Sequence, residues 1–173
     1  TIIEPSFNLF KNLKKKFRNK KNIIVKKQTI QSIKKKFDSI IYFDVLEHIQ
    51  NDYLEVSLAK KRLKKNGYLI FGVPAYQIFY SEFDRRVGHY RRYSKKRFFK
   101  LSEKSGLKIE NIFYYDSIGF LLLMLNKIFS LKSSNLKLKL KLWNLLMPIS
   151  KIIDYLFCKS FGKSLICVFK NEN

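Results

Sequence analysis

The pattern of apolar positions predicts helices and strands in alternation over the first half of the chain. Apolar residues three or four positions apart predict helices over residues 6–19 and 50–65. Runs that are β-branched or almost continuously apolar predict strands, and these cover residues 1–4, 22–26, 37–43 and 68–73. Helices that follow strands in this way serve as crossovers, so the order favours a parallel sheet.

The predicted helix over residues 50–65 is followed by Asn66 and Gly67. Glycine adopts the left-handed conformation without steric cost, so we expect Gly67 to end that helix. Ser94 is placed to cap a later helix that runs to about Ser105, and Gly106 is placed to end it.

The second half of the chain has a less regular pattern. Residues 75–93 mix aromatic and charged side chains without periodicity, which is typical of a functional loop. Further along, a strand, a helix and a closing strand are predicted over residues 107–115, 117–131 and 162–170. Residues 136–142 alternate leucine with lysine and so indicate a strand, whereas residues 143–157 indicate a helix interrupted at Pro148. The conformation of that stretch stays open.

The composition is that of one folded domain. The chain has 173 residues, of which 46% are hydrophobic and 16% aromatic, enough to bury a core without disulfides or structural metal. Cys158 and Cys167 are too few for a disulfide framework or a zinc site, so we expect a reducing, cytoplasmic compartment. No apolar stretch reaches the ~20 residues of a membrane-spanning helix, and no signal-peptide pattern is present.

The net charge of +23 would ordinarily indicate nucleic acid or an anionic membrane as a partner. Most of the excess is lysine, and isoleucine, phenylalanine, asparagine and leucine are also abundant. These residues have A/T-rich codons, so genome composition explains much of the charge. The lysine runs lie at the polar faces or ends of predicted elements, which is typical of solvated surface. We therefore expect no nucleic-acid partner.

Both histidines of the chain lie in chemically dense clusters. One cluster runs from Asp44 to His48 at the end of an apolar run, and the other is Gly88–Tyr93, after the aperiodic loop. Histidine is the side chain best suited to proton transfer near neutral pH, and here it is surrounded by carboxylates, tyrosines and arginines. This placement indicates an enzyme site.

Several motifs occur together in one order: Glu4 after the first strand, the segments 37–49 and 63–75, the cluster Gly88–Tyr93 and the closing region 162–165. In order and spacing they resemble the class I S-adenosylmethionine-dependent methyltransferases, in particular the small-molecule methyltransferases of the type 11/12 group. The resemblance covers nearly the whole chain. It implies an α/β, Rossmann-like sheet that is mostly parallel with an antiparallel last strand and has helices on both faces. It also implies S-adenosyl-L-methionine as cofactor and a small-molecule acceptor.

One expected motif is absent from the sequence. In such a fold a glycine-rich loop should precede Glu4 by roughly 20 residues, but the first glycine is Gly67. The chain is therefore expected to be N-terminally truncated, without the first strand and its glycine loop, and the fragment alone is expected to bind cofactor poorly. Residues 1–173 would form the C-terminal part of one methyltransferase domain. Residues 117–160 would be an inserted helical region on the substrate side, before the last strand.

The resemblance assigns cofactor-binding roles to residues at three strand ends. Glu4 matches the acid that accepts hydrogen bonds from the ribose hydroxyls. Gln28 and Thr29 match the residues that flank the adenine ring, although glutamine departs from the family's usual glycine there. Phe43 and Asp44 match the residues that face the methionine part of the cofactor.

Glu47 and His48 are the predicted catalytic residues. His48 could take a proton from a substrate hydroxyl. Alternatively, it could bind a divalent ion with Asp44 and Glu47, as the similar Glu-His sequence in quinone-ring O-methyltransferases suggests, although no dedicated metal site is predicted. A third alternative is that Glu47 and His48 only anchor a helical turn. A base is optional because alignment and exclusion of water supply much of the acceleration of methyl transfer.

The second histidine cluster is assigned to the substrate. Two adjacent arginines can bind a carboxylate or phosphate in a bidentate manner, which would suit an anionic small molecule. Alternatively, the two arginines pair with Glu82, Asp84 or backbone carbonyls and hold the loop. The predicted substrate-binding residues are His89, Tyr90, Arg91, Arg92 and Tyr93.

Two other functions are consistent with parts of the sequence. A nicotinamide-dependent oxidoreductase would also have an acid at the position of Glu4. A non-catalytic, basic surface-binding module is the other alternative, because residues 118–129 and 143–157 are apolar with lysines nearby and could lie on an anionic membrane. Segments of this kind more often pack over a substrate pocket, so peripheral membrane contact is the secondary expectation. The sequence leaves the oligomeric state open.

Overall fold

The computed structural model describes residues 1–129 and 136–172 and contains two sheets. Strand β1 (Ile2–Ile3) pairs in parallel with β2 (Val25–Lys26). The larger sheet contains β3 (Phe37–Phe43), β4 (Leu63–Pro74), β5 (Lys108–Tyr115) and β6 (Ser164–Lys170), in the order β3-β4-β6-β5. β3 and β4 are parallel, and β6 is antiparallel to both of its neighbours. The predicted α/β class, with an antiparallel last strand, is confirmed.

Within residues 1–129 and 136–172, six helices connect these strands. They are α1 (Phe7–Lys16), α2 (Asp52–Lys61), α3 (Glu82–Arg86), α4 (Lys95–Ser105), α5 (Ser117–Phe129) and α6 (Leu136–Leu156). Three short 3-10 turns lie at Ile30–Ser32, Leu46–His48 and Gln77–Phe79. α5 and α6 follow β5 and precede β6. None of the described helices is long and apolar enough to cross a membrane.

The core lies beside β4, which pairs with β3 on one edge and with β6 on the other. Phe71 of β4 is fully buried and packs against Phe98 of α4 and Phe169 of β6. α2 adds Val56 and Ala59 to the same cluster. The buried side chains of β4 therefore hold two helices against the sheet, and this fixes the strand ends that carry the candidate site.

The two sheets are separate. In the described part of the chain no strand pairing joins the β1-β2 sheet to the four-stranded sheet, and a cavity of about 520 Å³ is lined by residues of both, among them Lys26 of β2 and Phe37 of β3. Ile41 and Phe43 of β3 share one face of that strand and are exposed. That face of β3 therefore exposes apolar side chains.

Two local expectations were wrong. α2 ends at Lys61, and Asn66 rather than Gly67 adopts a positive φ, of 59°. Gly67 is instead needed for close packing, because a Cβ atom there would lie 2.9 Å from the carbonyl oxygen of Lys64. By contrast, the predicted cap of α4 is confirmed, with the Ser94 hydroxyl accepting from the Arg97 amide and Gly106 at φ 64°.

The stretch that alternated leucine with lysine is helical. α6 begins at Leu136 and continues through Pro148 to Leu156. Leucine and lysine are both strong helix formers, so their intrinsic preference outweighs the strand signal of a short period-two pattern.

Candidate functional site

The site is built on the turn that follows β3. The Asp44 amide donates to the carbonyl of Gly72 at 2.9 Å and so extends the pairing of β3 with β4. Asp44 itself has a φ of 50°, an uncommon conformation for a non-glycine residue, which redirects the chain into the 3-10 turn Leu46–His48. Within this turn Leu46 and Glu47 are buried, whereas His48 is exposed.

The segment Gly88–Tyr93 lies directly against this turn. The Tyr90 amide donates to the carbonyl of Glu47 at 2.8 Å, and the Tyr93 hydroxyl donates to the carbonyl of Leu46 at 3.2 Å. The Arg91 guanidinium donates to the carbonyls of Ile49 and Gln50, just after the turn. The two histidine clusters, which are far apart in the sequence, therefore form one site.

Three side chains converge where the clusters meet. The rings of His48 and His89 are 4.6 Å apart between centroids and nearly perpendicular. Nε2 of His89 lies 4.0 Å from Oε1 of Glu47. One nitrogen or oxygen atom from each of Glu47, His48 and His89 lies within 4.8 Å of the others. We call these three residues the Glu–His cluster.

A buried carboxylate orients His89 from behind. Nδ1 of His89 is 2.9 Å from Asp84, and the Arg92 guanidinium donates to both oxygens of Asp84 at 3.0 Å. Ser81 also donates to Asp84. Burial alone would raise the pKa of Asp84, but hydrogen bonds from Arg92, Ser81 and His89 outweigh it and lower that pKa. An ionised Asp84 accepts the proton on Nδ1, so Nε2 of His89 faces Glu47.

Glu47 is the unusual member of the Glu–His cluster. It is fully buried, and neither of its carboxylate oxygens has a hydrogen-bond partner among the residues that the structure describes. Burial raises the pKa of Glu47 to about 7, with a further contribution from the charge of Asp44. Burying a carboxyl without a hydrogen-bond partner costs stability, which indicates a functional role for this residue. With this pKa, Glu47 can hold or release a proton near neutral pH.

His48 provides a proton acceptor beside Glu47. Partial burial and the neighbouring His89 lower the pKa of His48. Its imidazole is therefore neutral at pH 7, and it is exposed on the open side of the cluster. A neutral imidazole can accept a proton from a bound molecule or ligate a metal ion. The set of two imidazoles and one carboxylate is one that zinc and related ions use.

The predicted cofactor-binding residues lie on both sheets. On the small sheet, the Glu4 carboxylate accepts one hydrogen bond, from the Ser6 amide, through Oε1. Gln28 has a buried side-chain oxygen with no partner in the described part of the chain, and Thr29 is exposed beside it. On the large sheet, Phe43 and Asp44 are exposed at the end of β3. Gly72 admits the Phe43 ring, because a Cβ atom there would collide with it.

The predicted substrate-binding residues divide into two groups. Arg91 binds backbone carbonyls, Arg92 binds Asp84, and Tyr93 is fully buried with its hydroxyl also 3.1 Å from Asp52. These contacts are those of the alternative in which the two arginines hold the loop. His89 is partly exposed, and Tyr90 is exposed at the surface.

The role of Asp84 as the partner that orients His89 was not predicted. The sequence places Asp84 three residues after Ser81, which is the spacing of a capping box, and the structure contains that box at the start of α3. The spacing therefore signals a helix start and gives no sign of the histidine contact. Tyr80, whose hydroxyl donates to the carbonyl of His89 at 2.6 Å, carries no sequence signal either.

No protein-family model matches the sequence, and no curated protein matches it. Solved structures do match. Over 99% of its length the chain is similar to the N-methyltransferase NodS from Bradyrhizobium japonicum in complex with S-adenosyl-L-homocysteine, with 13% identity and a TM-score of 0.57. It is also similar over 99% of its length to an S-adenosylmethionine-dependent methyltransferase from Clostridium acetobutylicum, with 13% identity and a TM-score of 0.60.

A third similar structure is coclaurine N-methyltransferase bound to N-methylheliamine and S-adenosyl-L-homocysteine, with 16% identity over 97% of this chain and a TM-score of 0.62. The chain spans 65% of the length of NodS, 74% of the clostridial protein and 59% of coclaurine N-methyltransferase. At these identities the similarity establishes the architecture. The chain therefore has the Rossmann-like fold of the S-adenosylmethionine-dependent methyltransferases.

Proposed function

We propose that the protein transfers a methyl group from S-adenosyl-L-methionine to a small-molecule acceptor. The observation that carries the proposal is the Glu–His cluster, a buried and unpaired carboxyl with two imidazoles at the carboxyl end of β3. Ligands of open α/β sheets bind at this end of the strands. The bound cofactor would supply an electrophilic methyl group on a sulfonium, and the protein would supply alignment, exclusion of water and a proton acceptor.

The residues at the strand ends fit the polar groups of that cofactor. Glu4 has Oε2 free to accept from ribose hydroxyls, since only Oε1 is engaged. The buried, unpaired oxygen of Gln28 would accept from the adenine amine, and Thr29 would lie beside it. Phe43 and Asp44 would contact the methionine part of the cofactor. The Asp44 carboxylate would accept from the amino group of that part.

His48 is the group best placed to take a proton from the acceptor. Its lowered pKa keeps it unprotonated at neutral pH, and it borders the open side of the site. Glu47, with a pKa of about 7, would in its ionised form either stabilise the imidazolium that forms on His48 or take the proton from it. His89 and Tyr90 would contact the acceptor, while Arg91, Arg92 and Tyr93 would position the loop.

Calorimetric titration of S-adenosyl-L-homocysteine into the complete gene product tests the proposal. We expect saturable binding at sub-millimolar ligand and a loss of affinity of about tenfold or more in Glu4→Gln, as for a lost hydrogen bond to a charged group. Glu82→Gln removes the same charge from an exposed residue of α3 and should bind as the wild type does. The absence of saturable heat in the wild type would refute a methyltransferase function.

A divalent transition-metal ion is the second candidate ligand of the Glu–His cluster. Two observations favour it: the oxygens of Glu47 have no partner, and Asp84 fixes His89 with Nε2 facing Glu47, an arrangement common behind metal-bound histidines. Such an ion would polarise an acceptor hydroxyl and lower its pKa.

Chelation distinguishes the two roles of the cluster. If His48 acts as a base, turnover should survive exhaustive treatment with a chelator, and Zn²⁺ titration should give no binding that His89→Ala removes. If the cluster holds a metal, turnover should fall on chelation and return with Zn²⁺ or another first-row ion. Cys158→Ser serves as the control for adventitious zinc at the exposed thiol.

A further inference from the structure

The helical pair α5 and α6 exposes two long apolar stripes. On α5 the stripe consists of Leu121, Leu125 and Ile128, which recur at helical spacing. A second stripe on α6 has four positions. These side chains are between 45% and 73% exposed. The α6 stripe consists of Leu145, Ile149, Ile152 and Leu156. A surface helix normally buries such a stripe, and these faces have no partner among the described residues.

Other faces of the same helices are already packed. Phe120 of α5 lies against Tyr76 and Phe79 of the loop that leads into the candidate site. Asp154 of α6 accepts from the backbone amides of Asp116 and Ser117 where α5 begins. The inward faces therefore hold the pair to the body of the protein, and the outward stripes are additional to what the fold requires.

The charge of this region is strongly one-sided. Residues 117–163 contain eight lysines and a single acid, Asp154. Asp154 is buried and engaged in the hydrogen bonds just described. Lys141 and Lys151 are exposed on α6, and the exposed Tyr155 adds an amphipathic ring of the kind that is enriched at membrane interfaces. The outward surface is therefore both apolar and cationic, with no exposed acid among its described residues.

We propose that the outward face of α5 and α6 binds the surface of a bilayer that contains anionic phospholipid, with both helices lying in the interface. The apolar stripes would enter the boundary between headgroups and acyl chains, and the lysines would contact the lipid phosphates. The charge and the apolar character of this face favour an anionic bilayer over two other partners. A second copy of the chain would bring a like-charged face against it, and a nucleic acid would leave the apolar stripes in water.

Co-sedimentation of the complete protein with vesicles tests this inference without any ligand of the candidate site. We expect at least tenfold stronger binding to vesicles with roughly one third phosphatidylglycerol than to phosphatidylcholine alone. Raising the salt from ~0.05 to ~0.5 M should weaken that binding by a similar factor. The double variant Leu145→Glu/Ile152→Glu should lose at least tenfold.

The matched control is Leu54→Glu/Phe99→Glu, which makes the same chemical change at exposed apolar positions of α2 and α4. Its binding should stay within twofold of the wild type. Equal losses in both double variants would mean that general charge attraction is responsible, and the proposal would fail. It would also fail if the wild type did not bind anionic vesicles. A dimer in light scattering that only Leu145→Glu/Ile152→Glu dissociates would identify a second copy as the occupant.

A fluorescent reporter on the outward face locates the contact. Trp143 is the only tryptophan, and its indole is turned inward to Asp116, so it should respond little to lipid. A second tryptophan in Tyr155→Trp, at an exposed position of α6, should be quenched by lipids brominated close to the headgroup in anionic vesicles. The absence of that added quenching in vesicles that do bind the variant would show that another face is in contact, and would overturn the assignment to α5 and α6.

Discussion

The carboxyl ends of β3 and β1 both carry candidate site residues, but they are built in different ways. After β3, backbone and side-chain hydrogen bonds from Gly88–Tyr93 fix the turn that carries Glu47 and His48, and Asp84 fixes His89. After β1, Glu4 has one side-chain hydrogen bond, and the strand pairs only with the two-residue β2. The first end is preorganised for chemistry, whereas the second must be ordered largely by whatever binds there.

The largest effect should come from breaking the support behind His89. Arg92→Ala leaves the buried Asp84 carboxylate without its bidentate partner, and loss of one member of a buried ion pair costs about 3–5 kcal/mol. Chemical denaturation would measure the change in unfolding free energy. Arg85→Ala is the matched control, because its bridge to Glu82 is exposed and should contribute less than about 1 kcal/mol. Equal losses would contradict the difference between buried and exposed support.

Native-state hydrogen exchange should separate the two strand ends directly. Amides of β4 at residues 69–73 lie between two strands in the core and should open only with extensive unfolding. The Ile2 and Glu4 amides donate to the carbonyls of Ile24, just before β2, and Lys26, in β2, and should open locally. We expect protection factors to differ by at least 100-fold, or ~3 kcal/mol of opening free energy. Comparable protection would show that the two sheets form one cooperative unit.

The pH dependence of stability should report the burial of Glu47. Its pKa is raised from 4.5 to about 7 in the folded protein, so the folded state binds the extra proton. The stabilisation is complete below pH ~4.5 and is lost as the pH rises through 7, and its full size is ~3 kcal/mol. Denaturation in the presence of a chelator would measure the difference in unfolding free energy between the wild type and Glu47→Gln. We expect that difference to change between pH 5 and 7.5. A constant difference would mean that Glu47 titrates normally.

The smallest effect on stability is expected at His48. His48 is exposed, so His48→Ala should change the unfolding free energy by less than about 0.5 kcal/mol. If His48 is a general base, turnover should nevertheless fall by about 100-fold, and affinity for S-adenosyl-L-homocysteine should be unchanged. Steady-state kinetics beside calorimetry would separate the two. Unchanged turnover would reduce His48 to a structural residue of the turn.

Local signals in the sequence were sufficient for most strands and for the cap at Ser94, because these depend on runs of a few residues. The α6 segment was ambiguous because a short alternation of leucine and lysine satisfies a strand period, while the helical preference of both residues acts over a longer stretch. Gly67 was predicted to end a helix, whereas in the structure glycine is needed there for close packing. Close approach to the Lys64 carbonyl depends on β4 and its neighbours, which a local pattern does not contain.

The sequence predicted the candidate site as two separate clusters, and the contact between them could not be predicted. His48 and His89 meet because the loop after β4 returns to the turn after β3, a contact between distant residues that leaves no periodic trace. The arginines illustrate the same limit. Their chemistry suits an anionic ligand, but Asp84 and the backbone carbonyls compete for it, and only the fold determines which partner is near.

The joint at Asp116 has a consequence for the speed of membrane docking. The Asp116 carboxylate accepts from the Trp143 indole and from the Gly119 amide, and the Asp116 amide donates to Asp154. The two helices are therefore fixed at their base before the protein meets a bilayer. Docking then requires no folding step. Association should follow a single exponential whose rate is proportional to lipid concentration, and the heat-capacity change should reflect only the apolar area that leaves water.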